Sequence, residues 1–259
     1  MRRRVGGFAG FIGFVAAACG MSSQTPPPGG PSPVTPAFSI LVFSKTAGFR
    51  HDSIPAGINA VRQQGSARGF SVDATEDANA FADDSLAKYK VVVFLSTTGD
   101  VLNAAQEAAF ERFVRRGGGF VGIHSATDTE YDWPFYGALV GAYFAGHPEI
   151  QNATIDIEDP AHPAATALPR RWQRRDEWYN FRRNPRGSVN VLATLDERTY
   201  TGGTMAPDHP IAWSHTYEGG RSFYTGGGHT NESFSESAFA DHIGLAIQWA
   251  AGTSGPPTR

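Results

Sequence analysis

The feature that most constrains the fold is a regular alternation of strand-like and helix-like segments across residues 38–123. Val91–Leu95 is an unbroken apolar run, which is typical of a central parallel strand covered on both faces. Asn103, followed three residues later by Gln106, predicts the capped start of a helix. Alternation of this kind predicts a parallel sheet whose strands are joined by right-handed crossovers.

The second half of the chain is richer in predicted strands. They lie at residues 154–158, 189–195, 211–217 and 222–224. Residues 218–221 have the composition of a hairpin turn, and residues 236–250 form the predicted closing helix. The sequence therefore predicts an α/β domain at residues 38–252, built on an open, mostly parallel sheet flanked by helices, with antiparallel strands added in the second half.

The N-terminus has the pattern of an export signal over residues 1–18, because three arginines precede a short apolar run that ends in three alanines. Cys19 directly follows those alanines, so the segment resembles a bacterial lipobox in which this cysteine would be acylated. Residues 19–37 are rich in Pro and Gly and are predicted to be a linker, and residues 253–259 a disordered tail. We expect a periplasmic or cell-surface lipoprotein bound to the membrane through its lipid anchor. Export without acylation is the alternative.

Composition excludes several classes of function. The chain has 22 Lys and Arg against 25 Asp and Glu, so it lacks the basic excess that nucleic-acid binding requires. Cys19 is the only cysteine, which excludes structural disulfides and cysteine catalysis in the folded domain. Because the sequence has no His-x-His, no His-Glu-x-x-His and no cysteine pair, a metal site would have to draw its ligands from distant loops.

Candidate site residues follow the predicted strands, because ligands of open α/β sheets bind outside the carboxyl ends of the strands. Polar candidates at these ends are His51, Thr97, His124, Ser125, Asp128 and His229. His124 lies in a strand-to-turn segment that resembles a nucleophile elbow, where it could be a base, an oxyanion partner or a metal ligand. A histidine bonded to a neighbouring carbonyl is the alternative. The glycines at 226–228 either allow close approach of a ligand or form a tight turn.

Residues 176–181 place two acids beside aromatic rings. Glu177 is a candidate general base, and Trp178 and Tyr179 are candidates for stacking on a sugar, with core packing as the alternative. His147 lies in a His-Pro turn and is a further candidate. The remaining histidines of the domain are predicted to be mainly structural: His162, His209, His215 and His242. The arginines within residues 170–175 are predicted to lie in a solvated loop.

Four segments together resemble the ThuA-like, trehalose-utilisation family, whose fold is related to class I glutamine amidotransferases. These segments are residues 40–51, 117–127, 208–230 and 247–252. By this resemblance His124 occupies the elbow where an amidotransferase carries its cysteine, and His229 lies near the position of its catalytic histidine. The resemblance implies that the fold carries over. Because the domain contains no cysteine, the amidotransferase activity does not.

The resemblance also implies a substrate class, because the family is associated with sugar catabolism alongside oxidoreductases that make 3-keto glycosides. It implies a small-molecule carbohydrate substrate and a sugar oxidoreductase in the same pathway. A 3-keto group acidifies the hydrogen at C2, so a base that removes this proton can drive elimination or epimerisation. We expect an exported lyase, hydrolase or isomerase that acts on 3-keto glycosides by histidine-assisted acid/base chemistry.

In this interpretation His124, His229 and Glu177 are catalytic. The predicted substrate-binding residues are His51, Ser125, Thr97, Asp128, His147, Trp178 and Tyr179. A divalent metal is the candidate cofactor, and His51, Asp128 and Glu177 would either hold it or orient the substrate. A non-catalytic carbohydrate-binding surface lipoprotein is the alternative function.

Overall fold

The computed structural model describes residues 36–256, together with Met1, Gly6, Gly7 and Gly10. Most of the predicted signal peptide, the predicted lipidation site Cys19 and nearly all of the 19–37 linker lie outside the described residues. Residues 253–256 of the predicted C-terminal tail are among those described, and the Trp249 indole N–H donates to the carbonyl of Pro256 at 2.9 Å. Within the described residues, no helix has the length and apolarity needed to cross a lipid bilayer.

A nine-stranded sheet forms the centre of the domain, in the order β2-β1-β3-β4-β11-β10-β9-β6-β7, and β5 pairs with β8 in a separate small sheet. The strands are β1 (Phe38–Phe43), β2 (Phe70–Thr75), β3 (Val91–Leu95), β4 (Gly119–Ile123), β5 (Phe144–Gly146), β6 (Gln151–Ile157), β7 (Arg171–Asp176), β8 (Asn180–Phe181), β9 (Asn190–Asp196), β10 (Pro210–Tyr217) and β11 (Gly220–Thr225). The helices are α1 (Ile54–Arg68), α2 (Asp83–Leu86), α3 (Ala104–Arg115), α4 (Pro134–Val140), α5 (Asn231–Ser235) and α6 (Ser237–Ala250).

Five neighbouring strands, β2, β1, β3, β4 and β11, are parallel, and β10, β9, β6 and β7 continue the sheet in antiparallel pairs. This confirms the predicted open α/β architecture with antiparallel additions. The predicted cap of α3 is also present, because Asn103 accepts from the Gln106 backbone while the Gln106 side chain accepts from the Asn103 backbone. Helix α6 packs closely on β4, since a Cβ at Gly119 would lie 2.5 Å from the Ala250 carbonyl oxygen.

The arginine-rich segment was predicted to be a solvated loop, and the structure shows that this is wrong. Residues Arg171–Asp176 form the edge strand β7, which alternates between exposed and buried side chains. Arg174 points inward, stacked on the Trp172 and Phe239 rings at 4.6 and 4.3 Å. The buried charge is offset by Asp176, whose carboxylate lies 3.3 Å away, so an arginine is tolerated on the covered face of this strand.

Two predicted structural histidines are buried beside one backbone segment. His242 lies 2.7 Å from the carbonyl of Ala164 through Nδ1, and the Nδ1 of His162 accepts from the Ala164 N–H at 3.2 Å. Burial lowers the pKa of each imidazole to about 4, helped by the positive charges of Arg174 near His242 and Arg221 near His162. Both side chains are therefore neutral in the folded protein at neutral pH.

Lowering the pH is expected to destabilise the domain through these histidines. Between pH 6.5 and 4 the unfolded chain binds more protons than the folded one, so stability is present above pH 6.5 and is lost as the pH falls towards 4. The loss at pH 5 is about 2 kcal/mol per histidine. Urea unfolding at pH 7 and pH 5 measures it. His242→Gln should show a smaller difference between the two pH values, and an unchanged difference would contradict this account.

Candidate metal centre

His124 occupies a constrained elbow at the carboxyl end of β4. Its φ of 52° lies in the left-handed region, which residues other than glycine seldom adopt. Its Nδ1 lies 3.0 Å from the carbonyl oxygen of Gly226, and the Tyr224 hydroxyl donates to the His124 carbonyl at 2.8 Å. Because a carbonyl can only accept, Nδ1 carries the proton and the lone pair of Nε2 faces the interior of the site.

Three more ligand-type side chains converge on that nitrogen. From His124 Nε2, His51 Nε2 is 3.2 Å away, His229 Nδ1 is 3.2 Å away and Glu177 Oε2 is 3.4 Å away. His51 follows β1, His229 follows β11, and Glu177 follows β7. The expectation that strand-end histidines meet at one edge of the sheet thus agrees with the structure, which places one atom from each of the four residues within 4.8 Å of the others.

This spacing matches a metal coordination sphere. Ligands bonded at 2.0–2.1 Å to a tetrahedral ion lie about 3.3–3.4 Å apart, close to the separations around His124. Three imidazoles and one carboxylate are a donor set that suits Zn²⁺ and other divalent transition metals. The set that could hold such an ion is His51, His124, Glu177 and His229.

The surroundings of the centre favour the ligand forms of Glu177 and His51. Burial would raise the pKa of Glu177, but the neighbouring His124 and His229 outweigh this and lower it to about 2. Burial and the neighbouring histidines lower the pKa of His51 to about 3. Burial also opposes protonation of His229, yet the Glu177 carboxylate raises its pKa. The centre therefore contains an ionised carboxylate and a neutral His51 at neutral pH.

Asp176 organises the loop that carries His229, although it was not among the predicted site residues. Its buried carboxylate accepts from the backbone N–H groups of Gly228 and His229 at 2.8 and 3.1 Å, and from the Ser233 hydroxyl at 2.8 Å. The alternation along β7 could have indicated it, because a strand that buries every second residue turns Asp176 inward. Groups that fix metal ligands in this way contribute to affinity for the ion.

The glycines at 226–228 pack against protein. A Cβ at Gly226 would lie 2.5 Å from the Ile211 side chain, and one at Gly227 would lie 2.5 Å from the Arg174 guanidinium. Gly228 has a φ of +117°, which strains any other residue. These contacts favour the tight-turn interpretation of the two that the sequence left open.

Four predicted substrate-binding residues have no surface available to a sugar. Trp178 is completely buried, and its indole N–H donates to the Gln151 carbonyl at 2.9 Å. Tyr179 is 2% exposed and packs on the His124 ring at a centroid distance of 4.4 Å. Thr97 and Ser125 are also fully buried. The predicted stacking role of Trp178 and Tyr179 is therefore corrected to core packing, because their faces are covered.

Those buried hydroxyls have structural partners instead. The Thr97 hydroxyl lies 2.8 Å from that of Thr129, which accounts for a polar group with no exposed surface. Ser125 Oγ lies 3.4 Å from His51 Nδ1, on the side of the imidazole opposite the metal-facing nitrogen. Ser125 is therefore placed to orient His51, a candidate metal ligand. Neither Thr97 nor Ser125 is placed to make the predicted direct contact with substrate.

The other two candidates lie at the periphery of the centre. His147 Nδ1 is 3.0 Å from Glu177 Oε1, and its side chain is 42% exposed. Asp128 accepts from the Tyr131 hydroxyl at 2.6 Å, and burial raises its pKa. His147 is thus within reach of both the centre and solvent, as a group that acts on a bound substrate must be.

The fold and this centre define a class: an α/β protein with a glutamine amidotransferase-like sheet and a histidine–glutamate centre at the elbow. The model of the ThuA family, described as trehalose utilisation, matches residues 39–250, and the chain belongs to this family. Among curated proteins, none matches this sequence.

Solved structures share the fold. A ThuA-like protein from Bacteroides uniformis has a TM-score of 0.71 and 23% identity over 88% of this chain and 95% of that one. A ThuA-like protein from Parabacteroides merdae has a TM-score of 0.71 and 21% identity over 86% and 95%. The glutaminase domain of the Trypanosoma brucei CTPS has a TM-score of 0.51 and 8% identity over 86% and 96%. These likenesses show the amidotransferase-like fold.

Proposed function

We propose that this chain is a metal-dependent enzyme that cleaves oxidised, 3-keto glycosides. The observation that carries the proposal is the convergence of His51, His124, Glu177 and His229, with candidate ligand atoms within 4.8 Å of one another. Membership in a family described as trehalose utilisation supports a carbohydrate substrate. A divalent ion held by these side chains would supply a Lewis acid for the C3 carbonyl oxygen of the substrate.

The protein groups then have distinct tasks. The four ligand residues form the centre, and His147 is the candidate base, since it is partly exposed and 3.0 Å from Glu177. Removal of the C2 proton leaves an electron pair that forms a C1–C2 double bond as the C1–O bond breaks. The departing oxygen takes up a proton and leaves as the free alcohol, so atoms and charge balance without a further reactant. Elimination therefore needs one base, one acid and a polarised carbonyl.

Export and lipidation at Cys19 remain part of the proposal, as does a sugar oxidoreductase that supplies the 3-keto substrate. A non-catalytic carbohydrate receptor has less support. That alternative relied on Trp178 and Tyr179 as a stacking surface, and both rings are buried. A receptor also has no need for a buried cluster of three imidazoles and a carboxylate.

The test uses the purified full chain, loaded with Zn²⁺ or Mn²⁺ and, in parallel, stripped with a chelator. Methyl β-glucoside and its 3-keto derivative are incubated with each form, and products are identified by mass spectrometry. We expect methanol release from the keto substrate alone and only from the metal-loaded form. An unsaturated keto sugar, lighter by one water than the hydrolysis product, identifies elimination.

A matched variant controls for the effect of losing a histidine. His162→Gln removes a buried imidazole that lies outside the four-residue centre, and it should retain metal and turnover. Saturable binding of the unmodified glucoside with no product under any metal condition would overturn the enzyme proposal in favour of a receptor.

A further inference from the structure

Phe49 is exposed to an unusual degree for its type. Its side chain is 66% exposed, and among residues 36–256 it is the one large hydrophobic residue in that state. The neighbouring strands bury their large apolar side chains almost completely, with Phe43 at 0%. Leaving an aromatic ring in water forfeits the free energy of burying it, so its position needs an explanation.

The ring lies beside the candidate metal centre. Phe49 is two residues before His51, and the two ring centroids are 4.9 Å apart with planes at 81°. The His51 ring in turn lies 4.7 Å from His124 and 5.0 Å from His229. Phe49 thus adjoins one candidate metal ligand directly, and a sugar resting on it would lie at the edge of the centre.

The backbone that carries Phe49 is fixed. The Thr98 hydroxyl donates to the Phe49 carbonyl at 2.8 Å and accepts from the Gly48 N–H at 3.2 Å. The Ala47 N–H donates to the Thr98 carbonyl at 2.7 Å, which ties the loop to the end of β3. An exposed ring on a tethered loop is pre-organised, so stacking of a sugar on it loses little free energy to ordering of the loop.

We propose that Phe49 is a stacking platform for the reacting pyranose, which gives the site a preference for β-glycosides whose stacked face carries only C–H groups. This inference rests on the proposed function in that the sugar is taken to be its substrate. A β-glucopyranose carries all its substituents equatorially, so both ring faces present only C–H groups. Such a face complements the electron-rich face of an aromatic ring. The C2 hydrogen that the proposed reaction removes points to one face, so the opposite face, which carries the C1 and C5 hydrogens, rests on Phe49. An axial oxygen on that face, as at C1 of an α-glucoside, would interrupt the contact.

The test compares Phe49→Ala and Phe49→Trp with the control Arg50→Ala, in the full chain loaded with Zn²⁺. Arg50 lies in the same loop but forms an exposed ion pair with Glu76 at 2.7 Å, so its loss should leave sugar binding unchanged. For the 3-keto derivative of methyl β-glucoside we expect KM to rise roughly tenfold in Phe49→Ala, with kcat and metal content retained. Phe49→Trp should restore KM.

A second readout separates this inference from the proposed enzyme activity. The affinity for intact methyl β-glucoside and methyl α-glucoside is measured by calorimetry in wild type and Phe49→Ala. The preference of the wild type for the β-glucoside should shrink towards unity in the variant. Loss of glucoside affinity in Phe49→Ala without turnover in any form would overturn the enzyme proposal and sustain the platform. Turnover with unchanged KM and unchanged sugar preference in Phe49→Ala would overturn the platform.

Discussion

Replacing Glu177 with Gln is expected to abolish both metal binding and turnover. The substitution keeps the size of the side chain but removes the only carboxylate of the four-residue centre. An amide oxygen is a weaker ligand and cannot balance the charge of a divalent ion in a buried site. We expect metal affinity to fall by at least about 100-fold and turnover to fall by about 10³-fold or more.

The chain offers a matched control for this substitution. Glu197 is also a mostly buried carboxylate that contacts a histidine, with its Oε1 2.7 Å from His209 Nδ1, but it lies outside the centre. Glu197→Gln should therefore bind metal and turn over substrate like the wild type. Metal content measured by mass spectrometry and competition with a chromogenic chelator quantify both variants. If Glu177→Gln bound Zn²⁺ with wild-type affinity, the assignment of this cluster as a metal centre would be wrong.

The fold could be predicted because its signals are local. An unbroken apolar run such as Val91–Leu95 can bury all of its side chains only when the strand is covered on both faces. The hydrogen-bonding side chains of Asn103 and Gln106 mark the start of a helix without reference to any tertiary contact. Strand β7 escaped prediction because its inward position 174 is an arginine. That charge is tolerated only through Asp176 and two aromatic rings, which are tertiary contacts that the sequence pattern does not contain.

The candidate site was partly predictable for a topological reason. His51, His124 and His229 follow β1, β4 and β11, which are parallel and end at one edge of the sheet. Glu177 was a candidate because residues 176–181 place acids beside aromatic rings. Strand topology alone could not place it with the histidines, because it follows an antiparallel edge strand. The predicted stacking role of Trp178 was wrong, because an aromatic residue next to a site in the sequence can equally be packed into the core, as Trp178 is.

Removing the Asp176 side chain is expected to destabilise the domain and to weaken metal binding together. Asp176→Ala leaves the Arg174 guanidinium buried with Glu236, at 3.1 Å, as its remaining carboxylate partner. Breaking a buried ion pair on one side costs about 3–5 kcal/mol. The same change removes the acceptor of the Gly228 and His229 backbone N–H groups, so the loop that positions His229 is released.

Two further variants separate positioning of His229 from simple destabilisation. Leu192→Ala deletes a fully buried core side chain and costs about 2–5 kcal/mol, and it lies on β9, which pairs with neither β7 nor β11. Asp176→Asn keeps an oxygen that can accept from the loop but loses the charge that offsets Arg174.

Urea unfolding and Zn²⁺ titration, both carried out well below the midpoint of thermal unfolding, measure the two effects. We expect Leu192→Ala to lose stability alone, Asp176→Asn to lose stability with most metal affinity retained, and Asp176→Ala to lose both. Equal metal affinity in Asp176→Ala and Leu192→Ala would contradict a positioning role, because the carboxylate would then act through the stability of the fold alone.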